Sequence, residues 1–380
     1  MKWNWQEKDW PHFSWDNEKL MRVETLFTEA TGLVTGIKRH LDLNNQEIFT
    51  IEIMSREAIE TSAIEGEHLN RESVQSSIRH QLGLSTNSFK ATPTEKGIAE
   101  MMIDLHYNIT KSLDHETLFK WHRMIMNNHH NLKDIGRYRT HIDPMQIVSG
   151  PDYARKVHYE APPSRQIERE MDQFIEWFNQ TLPGKTKPLT AVIRAGLAHL
   201  WFESIHPFED GNGRIGRAIS EKALAQGMST PGLVGLAMTL YKRRKEYYHA
   251  LKIASQGLEV THWLLWFGSV VIEAQRRSLA LVEFLLAKTR LLDKVRGQLN
   301  LRQERVMMRM LQEGLEGFKG GLSAKNYMSI TGASPATATR DLADLVEKEV
   351  FYRTGELKGA RYHLKIQLQP VKTVTEEDIR

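Results

Sequence analysis

The chain has 380 residues, 41% of them hydrophobic and 26% charged, and a formal net charge of +4. That length leaves room for two or three domains, and that balance is ordinary for a soluble globular protein. So small a charge is no argument for nucleic acid, and the lack of cysteine excludes disulfides and thiolate metal sites.

The opening MKWNWQEKDW is charged where a secretory signal needs an apolar run. A cytoplasmic protein is therefore expected. Trp3, Trp5, Trp10 and Trp15 crowd this stretch, and such a cluster is expected to staple a terminal segment onto a domain. Apolar residues then recur at helical spacing over 17–42, 45–65, 71–83, 94–112, 115–128, 165–181, 189–204, 214–227, 243–256 and 260–312, the last with a break. The longest apolar window, WLLWFGSVVI at 263–272, is too short to span a bilayer. No membrane segment is expected.

Strand-like alternation is scarce. The best candidate lies in PMQIVSGPDYARKVHYEAPP, 144–163. Two extended runs, Gln146–Val148 and Lys156–Tyr159, flank a Gly-Pro-Asp turn. That predicts a hairpin inserted in a helical body. From about residue 300 the pattern changes to a helix, a turn at Thr331-Gly332-Ala333, a second helix with Ser334 as N-cap and Pro335 at its first position, and two short extended runs. Helix, turn, helix, hairpin is a winged-helix outline.

The densest chemistry is HPFEDGNGRIGR, 206–217. Pro207 pushes His206 out of helical geometry and into a loop. Glycines ahead of a helix start leave backbone N–H groups to face an anion, and the helix dipole adds to the attraction. Arg214 and Arg217 share a face of the first turn and make two fixed positive forks. Asp210 opposes a phosphate unless a cation lies between them, and Mg²⁺ takes one carboxylate plus phosphate oxygens. His206 is then a general base beside a phosphate site. A Walker A loop is excluded, because its Lys-Ser/Thr pair is missing.

This run resembles the signature of the Fic (filamentation induced by cAMP) family, HPFx(D/E)GNGRxxR, at every specified position. GRYRTHIDPMQIVSG, 136–150, resembles the lead into that family's substrate flap, and EYYHALKIA, 246–254, its post-motif helix. The opening WNWQEKDWPHFSWD resembles the N-terminal domain of one bacterial branch. The fold implied is mainly α, a Fic helical bundle with an inserted β-hairpin flap, followed by the winged helix. The expected division is 1–89, a helical domain; 90–298, the catalytic domain; and 299–380, the winged helix.

The activity implied by the resemblance is protein adenylylation, with ATP and Mg²⁺. The hydroxyl of a target Tyr, Ser or Thr attacks the α-phosphate. His206 takes the hydroxyl proton and Asp210 holds Mg²⁺. Gly211, Asn212 and Gly213 form the anion hole, with the Asn212 side chain joining it. Arg214 and Arg217 hold the β- and γ-phosphates, and Phe208 packs inward. The intact Gly211 favours AMP transfer over the reversed nucleotide pose of kinase-like relatives. Tyr247 and Tyr248 either wall the nucleoside pocket or serve helix packing. The target is expected to add a strand to the flap at Gln146, Ile147 and Val148 or at Lys156, Val157 and His158.

TSAIEGE, 61–67, resembles the family's inhibitory helix (S/T)xxxE(G/N), through Thr61, Glu65 and Gly66. The resemblance implies that Glu65 pairs with Arg217 and brakes the enzyme. In some relatives the same glutamate serves removal of AMP. Self-modification and a homodimer are consistent with this reading. The alternative is a DNA-binding regulator whose Fic domain senses nucleotide. It is thinly supported, because the second winged-helix helix offers only Arg340 near its start.

Overall fold

The computed structural model of the chain describes residues 2–84, 91–129, 131–149, 156–228, 232–318, 320–366 and 371–379. The chain divides into two compact units. The first holds residues 1–36, 50–278 and 372–380; the second holds 37–49 and 279–371.

The first unit is helical. Its elements are α1 (Asn17–Arg39), α2 (Leu43–Ile64), α3 (Arg71–Gln81), α4 (Pro93–Tyr107), α5 (His115–Met126), α6 (Ile167–Gln180), α7 (Ala191–Ile205), α8 (Asn212–Gln226), α9 (Leu236–Lys242), α10 (Arg244–Ala254) and α11 (Thr261–Lys294). The ends of α1, α2 and α11 belong to the second unit. Several starts are set locally. Thr92 caps α4 with Pro93 at the first position, and Glu95 reaches back to the Thr92 N–H at 2.7 Å. Asp114 caps α5.

Helix α7 is the centre of the unit. From Val192 to Ile205 every residue but Glu203 is buried, so α7 is buried around its whole circumference rather than along one stripe. It packs most extensively against α8 and also against α6. Phe174, Phe178, Phe202, Phe208 and Phe267 fill the surrounding core.

The expected hairpin is present as β1 (Gln146–Ser149) and β2 (Lys156–Glu160), antiparallel, with a register irregularity between Ile147 and Val148. The expected turn at Gly150-Pro151-Asp152 lies outside the described residues. The N-terminal tryptophans do act as staples. Trp3 meets Tyr159 edge-on at 5.1 Å, the Trp5 indole N–H donates to the Glu160 carbonyl, and Trp10 packs against Trp201. Asn4 reaches Ser204 Oγ at 2.7 Å. The opening segment thus fixes the base of the hairpin to the end of α7.

The second unit contains α12 (Leu301–Gln312), α13 (Ala324–Thr331), α14 (Pro335–Glu347), β3 (Phe351–Thr354) and β4 (Arg361–Leu364). Gly332 closes α13 with φ 71°, and Ser334 caps α14 with Pro335 next, as the sequence predicts. Strands β3 and β4 pair antiparallel, and Leu322 bridges to Tyr362. Asp341 is buried, and it ties the helices together by accepting from Tyr327 Oη at 2.9 Å and from Arg302 Nε at 2.8 Å. Among the described residues no helix is long and apolar enough to cross a membrane.

Candidate active site

Helix α7 ends at His206, whose backbone is left-handed with φ 50° and ψ 60°. A non-glycine residue held there is strained and needs support from its surroundings. The support is Arg139. Its guanidinium Nε donates to the His206 carbonyl at 2.9 Å, and Nη1 donates to Ser164 Oγ. Its own backbone N–H donates to the Pro207 carbonyl at 3.0 Å. Burial pulls Arg139 down to about 10.

The loop then turns into α8 at Gly211, which sits at φ 81°. A Cβ there would meet Met126 at 2.6 Å and Ile125 at 3.1 Å, so the position needs glycine twice over. Helix α8 begins at Asn212, two residues earlier than the expected Arg214. The Asn212 side chain is engaged with the loop itself. Its Nδ2 donates to the Phe208 carbonyl and its Oδ1 accepts from the Phe208 N–H, each at 2.9 Å. It clamps the loop. The Gly211 N–H likewise donates to Asp210 Oδ1 at 2.5 Å. Phe208 packs inward as expected and is fully buried.

Phe208 stacks on His122 at 4.2 Å. His122 accepts the Gly136 N–H at Nδ1, at 2.9 Å, and its Nε2 lies 3.1 Å from the Asp210 carbonyl. One nitrogen accepts and the other donates, so the ring is neutral. Burial agrees, holding it down to about 4. Sequence reasoning missed His122 and Arg139, because each acts through tertiary contacts to the motif.

Both motif arginines are buried and both are engaged. Arg217 donates from Nε to Thr61 Oγ1 at 2.7 Å, and from Nη2 to the Thr61 carbonyl at 3.0 Å and to Glu65 Oε1 at 2.7 Å. Burial alone would raise the Glu65 carboxyl, but the Arg217 charge brings it below the usual carboxylate range. Burial would likewise weaken Arg217, and Glu65 more than restores it. Arg214 donates from Nη1 to Glu67 Oε2 at 2.8 Å, while its buried Nε has no partner. Glu67 was not singled out from the sequence. It stands two residues after Glu65, and past Gly66, at φ 89°, both carboxylates reach α8. Glu65 also lies over the helix start, since a Cβ at Gly213 would sit 2.3 Å from Glu65 Oε1.

Of these groups Glu65, Gly213 and Arg217 line a cavity of about 790 Å³, together with His206, Asp210, Glu203 and the hairpin residues Ile147, Val148 and His158; Arg214 and Glu67 lie outside its lining. Val157 is exposed to the same degree as Val148, whereas Gln146 and Lys156 end the described strands, opposite Glu160 and Ser149. Tyr247 lines the cavity but is fully buried, with its hydroxyl 2.8 Å from His199 Nε2. Tyr248 is half-exposed beside it, with ring centroids 5.1 Å apart. A cavity of this size with a few convergent polar groups suits a nucleotide-sized ligand.

Residues 112–224 match the Fic/DOC family, and residues 3–84 match a domain of unknown function, DUF4172. The chain is a Fic family protein. It is 27% identical over 194 residues to the protein adenylyltransferase Fic of Drosophila mojavensis, covering 47% of this chain and 36% of that protein. It is 26% identical over 214 residues to the protein of the same name from Drosophila ananassae, covering 53% and 41%. The matches therefore span well under half the length of these curated relatives. The crystal structure of a Fic domain containing signaling protein from Bacteroides thetaiotaomicron aligns with a TM-score of 0.51 at 19% identity, over 69% of this chain and 96% of that one. That likeness is one of fold.

Proposed function

We propose that this chain is a self-inhibited protein adenylyltransferase. The observation that carries the reading is the seating of Arg214 and Arg217 at the start of α8, where two carboxylates, Glu67 and Glu65, occupy the forks. Forks of this kind, at a helix start, fit the β- and γ-phosphates of ATP. In the reaction the target hydroxyl oxygen forms a bond to the α-phosphorus while its proton passes to His206. The bond from that phosphorus to the bridging oxygen breaks, and pyrophosphate leaves.

The chain's own residues do four things. The Asn212 clamp and the His122–Phe208 stack hold the loop. Arg139 holds His206 in its strained backbone. Burial keeps the imidazole of His206 down at about 4, so it is neutral and able to accept a proton at physiological pH. The exposed apolar residues Ile147, Val148 and Val157 of the hairpin give an extended target segment a strand to pair with.

Mg²⁺ fits the residues present. Asp210 is half-exposed at the cavity, and among the described residues no group of three acids or histidines could hold a metal alone. One carboxylate plus phosphate oxygens and water is how Mg²⁺ is commonly held. Asp210 would hold it, and the ion would neutralise phosphate charge.

Self-inhibition follows from the same contacts. An arginine bonded to Thr61 and Glu65 cannot hold the γ-phosphate, and Glu67 does the same to Arg214. The test is transfer of labelled AMP from ATP to proteins of a lysate and to the chain itself. Glu65→Gly is expected to label where wild type labels little. Adding His206→Ala should cost ~10²–10⁴-fold in rate with ATP binding retained. Full ATP binding by Glu65→Gly with no AMP incorporated would overturn the reading.

A further inference from the structure

Glu203 and His206 stand one turn apart at the end of α7, and both line the cavity. Glu203 Oε2 lies 3.8 Å from His206 Nδ1. Two atoms of this pair, Glu203 Oε1 and His206 Nδ1, are buried without a hydrogen-bond partner of good geometry, though the Glu203 main chain also faces the imidazole and favours its protonated form. Such atoms are few in folded proteins, and each asks for an explanation. Among the described residues Glu203 is the only acid within 4 Å of the His206 ring nitrogens.

The place for this carboxyl is built by α8. A Cβ on Gly216 would sit 2.7 Å from Glu203 Oε1, so the glycine between the two motif arginines leaves the room it occupies. The charged and titratable groups facing the pair are committed elsewhere. Arg217 on α8 is bonded to Thr61 and to Glu65 at the end of α2. Arg139 is spent on carbonyls and Ser164. Asp210 accepts the Gly211 N–H. Tyr247 on α10 is bonded to His199 of α7.

We propose that Glu203 is a positioning residue for His206. After a closing movement of about 0.9 Å, to ordinary hydrogen-bond length, its carboxyl oxygen accepts the Nδ1–H. That fixes the tautomer whose Nε2 lone pair meets the target hydroxyl. A base oriented by a third group is a recurrent arrangement for activating a hydroxyl. When the hydroxyl proton reaches Nε2, the same bond becomes charge-assisted and stabilises the imidazolium. Burial holds Glu203 up to about 8 and His206 down to about 4, so the resting pair is uncharged. This inference rests on the adenylyltransferase reading.

The test uses the full chain carrying Glu65→Gly, compared with the same protein bearing Glu203→Gln or Glu203→Leu. Glutamine keeps an acceptor oxygen in place; leucine keeps the volume and removes it. With leucine, kcat is expected to fall about 10- to 100-fold at unchanged KM for ATP, the usual loss when an orienting partner is removed. With glutamine, most of kcat should return. The ¹⁵N resonances of the His206 ring give a readout that needs no catalysis. Nδ1–H is expected in the parent and the glutamine protein, and a shift towards Nε2–H in the leucine protein. An unchanged kcat with leucine, or the same tautomer in all three folded proteins, would overturn the proposal. If the parent binds ATP but transfers nothing while the tautomer still shifts with leucine, the enzyme reading falls and the positioning role stands.

Discussion

Between pH 5 and 8 the Glu203 carboxyl gives a stability signature of its own. Folded, it is held up to about 8 by burial; unfolded, it returns to the ordinary 4.5. The unfolded chain releases the proton first, so the fold loses stability as pH climbs between these values, by about 1.4 kcal/mol per unit at most. Below 4.5 both states keep the proton and the loss is absent. Glu203→Gln removes the titration. Its Tm relative to wild type is therefore expected to rise steadily from pH 5 to 8 and to level off above. A difference that stays flat across this range would mean that Glu203 is not a buried acid. At this scale the sequence was readable only where a motif carries its chemistry in consecutive residues. His206, Asp210, Arg214 and Arg217 could be assigned from spacing, and Thr61 and Glu65 from a resemblance. The clamp by Asn212 was not readable, because an asparagine beside a helix start reads equally as an anion ligand. His122, Arg139 and Glu67 gave no local signal. Their partners lie 14 to 147 residues away in the chain.

The turn after α2 and the first turn of α8 meet through two ion pairs, so the proposed brake would rest on two elements and not on one glutamate. Four proteins separate the contributions: Glu65→Gly, Glu67→Gln, the two combined, and Arg217→Ala. AMP incorporation at saturating Mg²⁺-ATP is expected to rise with Glu65→Gly, to rise less with Glu67→Gln, and to be highest in the combination. Arg217→Ala releases the brake but loses a charge-assisted phosphate contact of ~1.5–3 kcal/mol, so it should stay slow. Equal rates for wild type and Glu65→Gly would return this segment to an ordinary helix end. A second element-scale prediction concerns α4 and α5. A Cβ on Gly97 would lie 1.8 Å from the Met124 carbonyl oxygen. Gly97→Ala must push two helices apart and should cost ~1–3 kcal/mol, seen as a lower urea midpoint; an unchanged midpoint would mean the helices do not approach so closely. Helices were the most legible feature, since 3.6-residue periodicity survives without knowledge of neighbours. The exception is α9. Its seven residues follow a glycine-rich stretch, and its first N–H groups are capped by Glu221 and Glu57, both remote in sequence. A helix capped from afar leaves no start signal.

At the scale of the molecule, the order of α12, α13, α14 and the β3–β4 hairpin supports reading the second unit as a winged helix. The exposed face of α14 carries Ala336, Thr339, Arg340, Ala343 and Glu347, one positive charge against one negative. Duplex DNA is bound chiefly through many phosphate contacts. No retarded band is therefore expected with random duplex at low salt, and a salt-sensitive shift would revive the regulator alternative. The other prediction at this scale concerns the segment 372–379, which belongs to the first unit although it follows the second in the chain. Val374 and Ile379 are fully buried in the first unit's core. The Val374 carbonyl accepts from Arg243 Nη1 at 3.1 Å, and its N–H donates to Glu273 Oε2 at 3.2 Å. Removing residues 371–380 exposes the apolar surface these two side chains cover, worth ~1.5–3 kcal/mol for each. It also leaves Glu273, which keeps Arg277 at 2.6 Å, short of one donor. With ~2–4 °C for each kcal/mol in a unit of this size, Tm should fall by about 6–24 °C. None of the proposed site residues lies in the removed segment, so ATP binding measured well below the lowered Tm should be unchanged. Val374→Ala alone should give a smaller fall in the same direction. A truncated protein that melts with wild type would show that this tail does not pack into the first unit.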